Sequence, residues 1–95
     1  MDLRNLELFL HLAESLHFAK TADAMAVSPS TLSRAIQRLE QEVGCPLFER
    51  DNRSVSLTPA GDRLREFGLH LLDDWQKLRH ELRHVGEPLQ GRLKV

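Results

Sequence analysis

The 95-residue chain is short of several things that small binding and catalytic domains use. It has a single cysteine, Cys45, so no internal disulfide can staple it, and a lone thiol of this kind fits a reducing, cytoplasmic setting. Tyrosine is absent and tryptophan occurs once. That leaves no row of aromatic faces on which a single strand could stack. An excess of one charge is also missing: 13 basic side chains stand against 14 acidic ones, for a formal net charge of −1. A globally basic nucleic-acid binder is thereby excluded, and any such contact must come from local clustering. Apolar runs are only a few residues long, so no membrane span is expected. The start, Met1-Asp2-Leu3-Arg4-Asn5, lacks the basic-then-apolar layout of a secretory signal. No glycine-rich phosphate loop, Ser-His-Asp arrangement or paired-carboxylate pocket stands out, so the expectation is a protein that is not an enzyme and needs no cofactor.

What is present is helical periodicity. Leu6, Phe9, Leu10 and Ala13 form an apolar stripe in a first helix expected over 3–15, with Asp2 as its cap. Leu16-His17-Phe18 breaks the phase, and a short second helix is expected from about Ala19 to Met25. Ser28-Pro29 is a strong start signal, a capping hydroxyl followed by proline at the first helical position. The third helix carries Leu32, Ala35, Ile36, Leu39 and Val43 on one face, and Gly44 suits a left-handed stop. Helix, tight turn and well-capped helix is the layout of a helix-turn-helix.

The other face of the third helix holds Ser30, Ser33, Arg34, Gln37 and Gln41, with Thr31 and Arg38 at its margins. Residues 28–39 contain two arginines and no acid, whereas residues 1–27 contain four acids and two bases. Short hydroxyls allow close approach to a duplex, arginine grips guanine edges or phosphate, and glutamine addresses adenine. An ordinary solvated face would more often mix lysine with glutamate. Beyond it, residues 47–57 read as a β-hairpin turning at Asp51-Asn52-Arg53, with asparagine tolerating a positive φ. Its arginines, Arg50 and Arg53, are candidates for a duplex backbone; in the alternative, Arg50 pairs with Asp51 or Glu40 as a brace.

Thr58-Pro59 starts a long helix expected to run to about residue 86, closed by Gly86 and Pro88. Leu64, Leu71, Leu78 and Val85 recur every seven residues, and Gly61, Gly68, Trp75 and Leu82 fill the alternate seam, the two glycines weakening its first half. The stripe is too long for a 58-residue head to cover, so the reading is a dimerisation helix with Leu64, Leu71, Trp75, Leu78, Leu82 and Val85 at the interface. His80 and His84 sit four residues apart but have no third ligand at metal spacing, so no metal site is expected. His11 and His17 read as polar lids on the core, and Cys45 as a small buried side chain in a turn.

In order and spacing, Val27-Ser28, Leu32-Ser33-Arg34, Ile36, Leu39-Glu40, Gly44, Pro46-Leu47-Phe48, Arg50, Arg53, Leu57-Thr58 and Ala60-Gly61 resemble the N-terminal signature of LysR-type transcriptional regulators. The resemblance covers essentially the whole chain. It implies a mainly α fold in three parts: a winged helix-turn-helix of three helices and a hairpin wing over 1–58, a dimerising linker helix over 59–87, and a hinge over 88–95. Gly91-Arg92-Leu93-Lys94-Val95 would then open an absent effector-binding domain. It further implies a double-stranded, partly palindromic DNA operator, an antiparallel homodimer and the option of a tetramer. Contacts carried over by position fall on Ser28, Ser33, Arg34 and Arg53; with Pro29, Ser30, Thr31, Gln37, Arg38 and Arg50 these make up the expected DNA-binding set. Where many relatives have glutamine-proline after the capping serine, this chain has Pro29-Ser30, so Ser30 or Thr31 is expected to replace that glutamine. Within the family the sequence is most similar to activators of isoleucine and valine biosynthesis, which implies a small-molecule inducer. The rival class is a helical protein–protein adaptor that uses the striped helix and binds no DNA.

Overall fold

The structure is a computed structural model and describes residues 1–85. Its order is α1 (Leu3–Ser15), α2 (Phe18–Ala24), α3 (Pro29–Val43), β1 (Phe48–Arg50), β2 (Val55–Leu57) and α4 (Pro59–Val85). The expectations for Gly86, Pro88 and Gly91–Val95 lie outside the described residues. Among the described residues, no helix is long and apolar enough to cross a membrane.

The expected α1 stripe is buried, but so are Leu8 and Leu12. A single stripe serves a helix with one neighbour; α1 packs against α2, α3 and α4 at once and therefore hides a wide face. Leu6, Phe9 and Leu12 meet Leu32, Ile36 and Leu39 of α3 and Leu47 of the following loop, all at most 1% exposed. Fully burying each such side chain is worth about 1.5–3 kcal/mol, enough to hold a head this small. Phe48 closes the core, its ring tilted against Phe9 with centroids 5.5 Å apart.

Two turns use left-handed backbone without glycine: Leu16 at φ 55° and Ala26 at φ 58°. Leu16 ends α1 by donating its N–H to the carbonyl of Leu12 (2.7 Å). Neither expected lid is one. His11 and His17 are exposed, and His17 Nδ1 accepts the Lys20 N–H, capping an α2 that starts one residue earlier than expected. Between α2 and α3, Val27 donates to the Ala22 carbonyl (2.9 Å), fixing a short connection. Val43 departs from the buried face of α3: in the last turn the helix has outrun its neighbours, and this residue is exposed.

Thr58 joins the head to α4. Its hydroxyl accepts from the Gly61 N–H (3.0 Å) and donates to the Pro46 carbonyl (2.8 Å), while its own N–H donates to Leu47. Gly61 and Gly68 are buried, and Gly68 lies against the Leu6 and Leu10 side chains. The seam of α4 accordingly divides. Leu64 and Leu71, expected at a dimer interface, are half-buried against the head's own core because the two glycines let the helix backbone approach it.

Candidate nucleic-acid interface

Ser28 caps α3: its Oγ accepts from the Thr31 N–H (3.1 Å), donates to Thr31 Oγ1 (2.9 Å) and shares a hydrogen bond with Ser30 Oγ (3.2 Å). The hydroxyl expected to touch DNA is thus engaged in the helix start, and it organises Ser30 and Thr31 beside it. Removing a serine cap of this kind costs about 1 kcal/mol. Pro29, Ser30, Thr31, Arg34, Gln37, Arg38 and Gln41 are exposed along one side of α3, and Ser33 is half-buried. The opposite side, Leu32, Ala35, Ile36 and Leu39, is in the core, so the polar residues are held outward by what anchors the helix. Neither Arg34 nor Arg38 forms an ion pair with the described residues.

The wing is a two-stranded antiparallel ladder with Phe48 opposite Leu57 and Arg50 opposite Val55. Its loop departs from the expected turn, for Asn52 has no positive φ. Instead the Asp51 carboxylate folds the tip: Oδ1 accepts the N–H groups of Arg53 and Ser54, each at 2.8 Å, and Asp51 N–H donates to the Ser54 carbonyl (3.0 Å). Those two backbone donors hold the Asp51 carboxyl below its ordinary value near 3.8. A lowered value means that the carboxylate's organising effect is complete above pH 4 and fades as pH falls through the lowered value. Asp51→Ala should therefore broaden or shift the amide resonances of Arg53 and Ser54 at neutral pH, whereas Asp51→Asn, which keeps an acceptor oxygen, should largely preserve them. Unchanged Arg53 and Ser54 amides in the alanine variant would remove this carboxylate as the organiser of the tip. Arg53 is left exposed at the tip, its side chain unpaired among the described residues.

Arg50 meets neither of its expected partners. Its guanidinium lies over the Phe18 ring, 4.5 Å from the centroid. Glu40 is occupied elsewhere: Oε2 accepts the N–H of Leu47 (2.8 Å) and of Phe48 (3.4 Å), tying the end of α3 to the root of the wing. Sequence reading missed both roles. Phe18 lies far from Arg50 along the chain, and only the carboxylate just ahead of a loop hinted at the role of Glu40.

The far half of α4 is a different surface. Trp75, Leu78, Leu82 and Val85 are exposed, Val85 by 71%. Phe67, four residues before Leu71 and eleven before Leu78, belongs to the same exposed side and was not singled out by the heptad reading. His80 and His84 touch edge to face at 4.4 Å. Among the described residues, no group of three or more His, Cys, Asp or Glu side chains could hold a metal ion. Cys45 is half-buried rather than buried, in the loop after α3.

Residues 3–62 match the family model described as bacterial regulatory helix-turn-helix protein, lysR family. The chain belongs to the lysR family. The HTH-type transcriptional activator IlvY of Salmonella typhimurium is 59% identical over 95 residues, which is 100% of this chain and 32% of that protein. The HTH-type transcriptional regulator IlvY of Escherichia coli K12 is 58% identical over the same shares. The chain thus spans about a third of the length of these lysR relatives. Among solved structures, the complex of the CbnR DNA-binding domain with DNA matches with a TM-score of 0.87 at 30% identity, over 92% of this chain and 100% of that one. The complex of the BenM DNA-binding domain with catB site 1 DNA gives 0.86 at 33% identity, over 92% and 97%. Three helices, a hairpin wing and a long fourth helix are therefore the lysR-type winged helix-turn-helix followed by a long helix.

Proposed function

We propose that this chain reads double-stranded DNA by inserting the exposed side of α3 into a major groove, with Arg53 of the wing on the neighbouring backbone. The observation that carries this reading is the outer side of α3 over residues 28–39, which holds no acid and on which Arg34 and Arg38 are unpaired among the described residues while the opposite side is locked in the core. In a protein of near-neutral net charge, such local clustering is the electrostatic signature of a duplex contact. The names of the IlvY relatives support control of branched-chain amino-acid genes. The exposed second half of α4 supports pairing of two copies, so that two heads meet a partly palindromic operator, with a tetramer as a further assembly of the whole protein. The role is regulatory rather than enzymatic and is exercised in the cytoplasm.

A salt titration of binding to duplex DNA upstream of the regulated genes tests this reading. Phosphate contacts make log K fall steeply with log salt, whereas an adaptor that uses only the α4 stripe gives a flat or absent response. Arg34→Ala is expected to cost about 1–3 kcal/mol in operator binding at fixed salt, the worth of a bidentate base contact. Equal affinity of wild type and variant would take Arg34 out of the readout.

A further inference from the structure

We infer that Arg50 is a positioning residue of the wing: by stacking on Phe18 it fixes where Arg53 stands relative to α3, and it is not itself a phosphate contact. The inference rests on the proposed DNA reading for its functional consequence. The wing's inner end is tied down several times. Phe48 is in the core against Phe9, Glu40 accepts from Leu47 and Phe48, and Thr58 donates to Leu47. Its outer end is tied differently. Strand alternation puts Arg50 on the same side as Phe48, one step further out, where the core has ended and the rim begins. There its guanidinium finds the face of Phe18, the first residue of α2, at 4.5 Å. Three residues on stands Arg53. A two-stranded ribbon alone is marginally stable and twists freely, so a tether at the last paired residue decides how far the tip wanders. That tether ends on the first of the two helices of the helix-turn-helix, so wing and reading helix are referred to one frame.

The test uses the intact chain and the operator, measured by fluorescence anisotropy across a salt series. Arg50→Gln and Phe18→Leu should each weaken binding about two- to fivefold, the range of an exposed cation–π contact, with an unchanged salt slope. The double variant should be no weaker than either single one, because both remove the same contact. Phe18→Tyr keeps the ring face and should bind like wild type, which a loss of stability alone would not distinguish so selectively. In the free chain, the δ-methylene protons of Arg50 should show an upfield ring shift that Phe18→Leu abolishes. A phosphate contact gives the opposite pattern: the slope falls by about one unit in Arg50→Gln, Arg50→Lys binds as wild type, and Phe18→Leu has no effect. That result, or additive losses in the double variant, would overturn the inference. If the wild type shows no salt-dependent duplex binding, the proposed function fails instead, and the ring shift still decides whether the tether exists.

Discussion

Glutamate at both Leu78 and Leu82 is expected to leave a folded head that no longer pairs. Both side chains are exposed, one turn apart on α4, beyond the stretch that packs on the head. Burying a leucine is worth about 1.5–3 kcal/mol, and a twofold interface counts every loss twice, so removing both forfeits about 6–12 kcal/mol. A micromolar dimer has only about 8 kcal/mol to lose. Sedimentation should show the variant monomeric at concentrations where wild type is dimeric, with the thermal midpoint of the head little changed, and a full operator should bind no better than a half-site. A dimeric variant, or a monomeric wild type at micromolar concentration, would sink the idea. Leu64 and Leu71 sharpen the contrast. They lie half-buried on the head's core, so glutamate there should lower stability, which a seam devoted wholly to pairing would not do.

Gly61→Ala is expected to destabilise the chain by about 1–3 kcal/mol despite the better helix propensity of alanine. In an open helix the same change would gain about 1 kcal/mol. Here the added methyl would run into the Leu47 carbonyl oxygen, which is backbone and already accepts the Thr58 N–H, and would come within 2.7 Å of Leu57 Cδ1. Overpacking of this sort costs about 1–3 kcal/mol where side chains must yield, and a backbone oxygen yields less. Gly68→Ala meets only the Leu6 and Leu10 methyls, at 3.0 and 3.1 Å, so its loss should be smaller. Urea denaturation of both variants checks the order. Gly61→Ala as stable as wild type would mean that the root of the wing is softer than its hydrogen bonds suggest.

These glycines also mark the limit of what the sequence made legible. Caps are local, and so Asp2, Ser28-Pro29, Gly44 and Thr58-Pro59 each placed an end of a helix where it occurs. Periodicity shows which side of a helix is apolar but not what covers it. It therefore read Gly61 and Gly68 as weak points of a coiled-coil seam, when both are buried where α4 lies close against the head. Most of the polar side of α3 was legible, since it is the complement of a core stripe, but Ser33 is half-buried and Val43 of the stripe is exposed. The capping role of Ser28 was legible too, while the bonds of its hydroxyl to the Ser30 and Thr31 hydroxyls were not. The breaks at Leu16 and before Ser28 were legible, but the left-handed backbone of Leu16 and Ala26 was not, because such a turn made without glycine leaves no compositional trace. A contact between residues distant in the chain, such as Arg50 with Phe18, becomes visible only when the fold brings them together, and the loop that returns Leu47 to Glu40 was not legible either.

In mechanical terms α4 is a lever whose last anchored residues are Leu71 and Leu72. Thirteen residues separate Leu72 from Val85, roughly 20 Å of helix. A tilt of about ten degrees there sweeps the far end through roughly 3.5 Å, close to the rise of one base pair. In the proposed pairing of two copies through the far halves of α4, a shift in the packing of Leu6 or Leu10 against Gly68 is carried along the helix into the spacing of the two heads. The core of each head would then set the distance between the two reading surfaces.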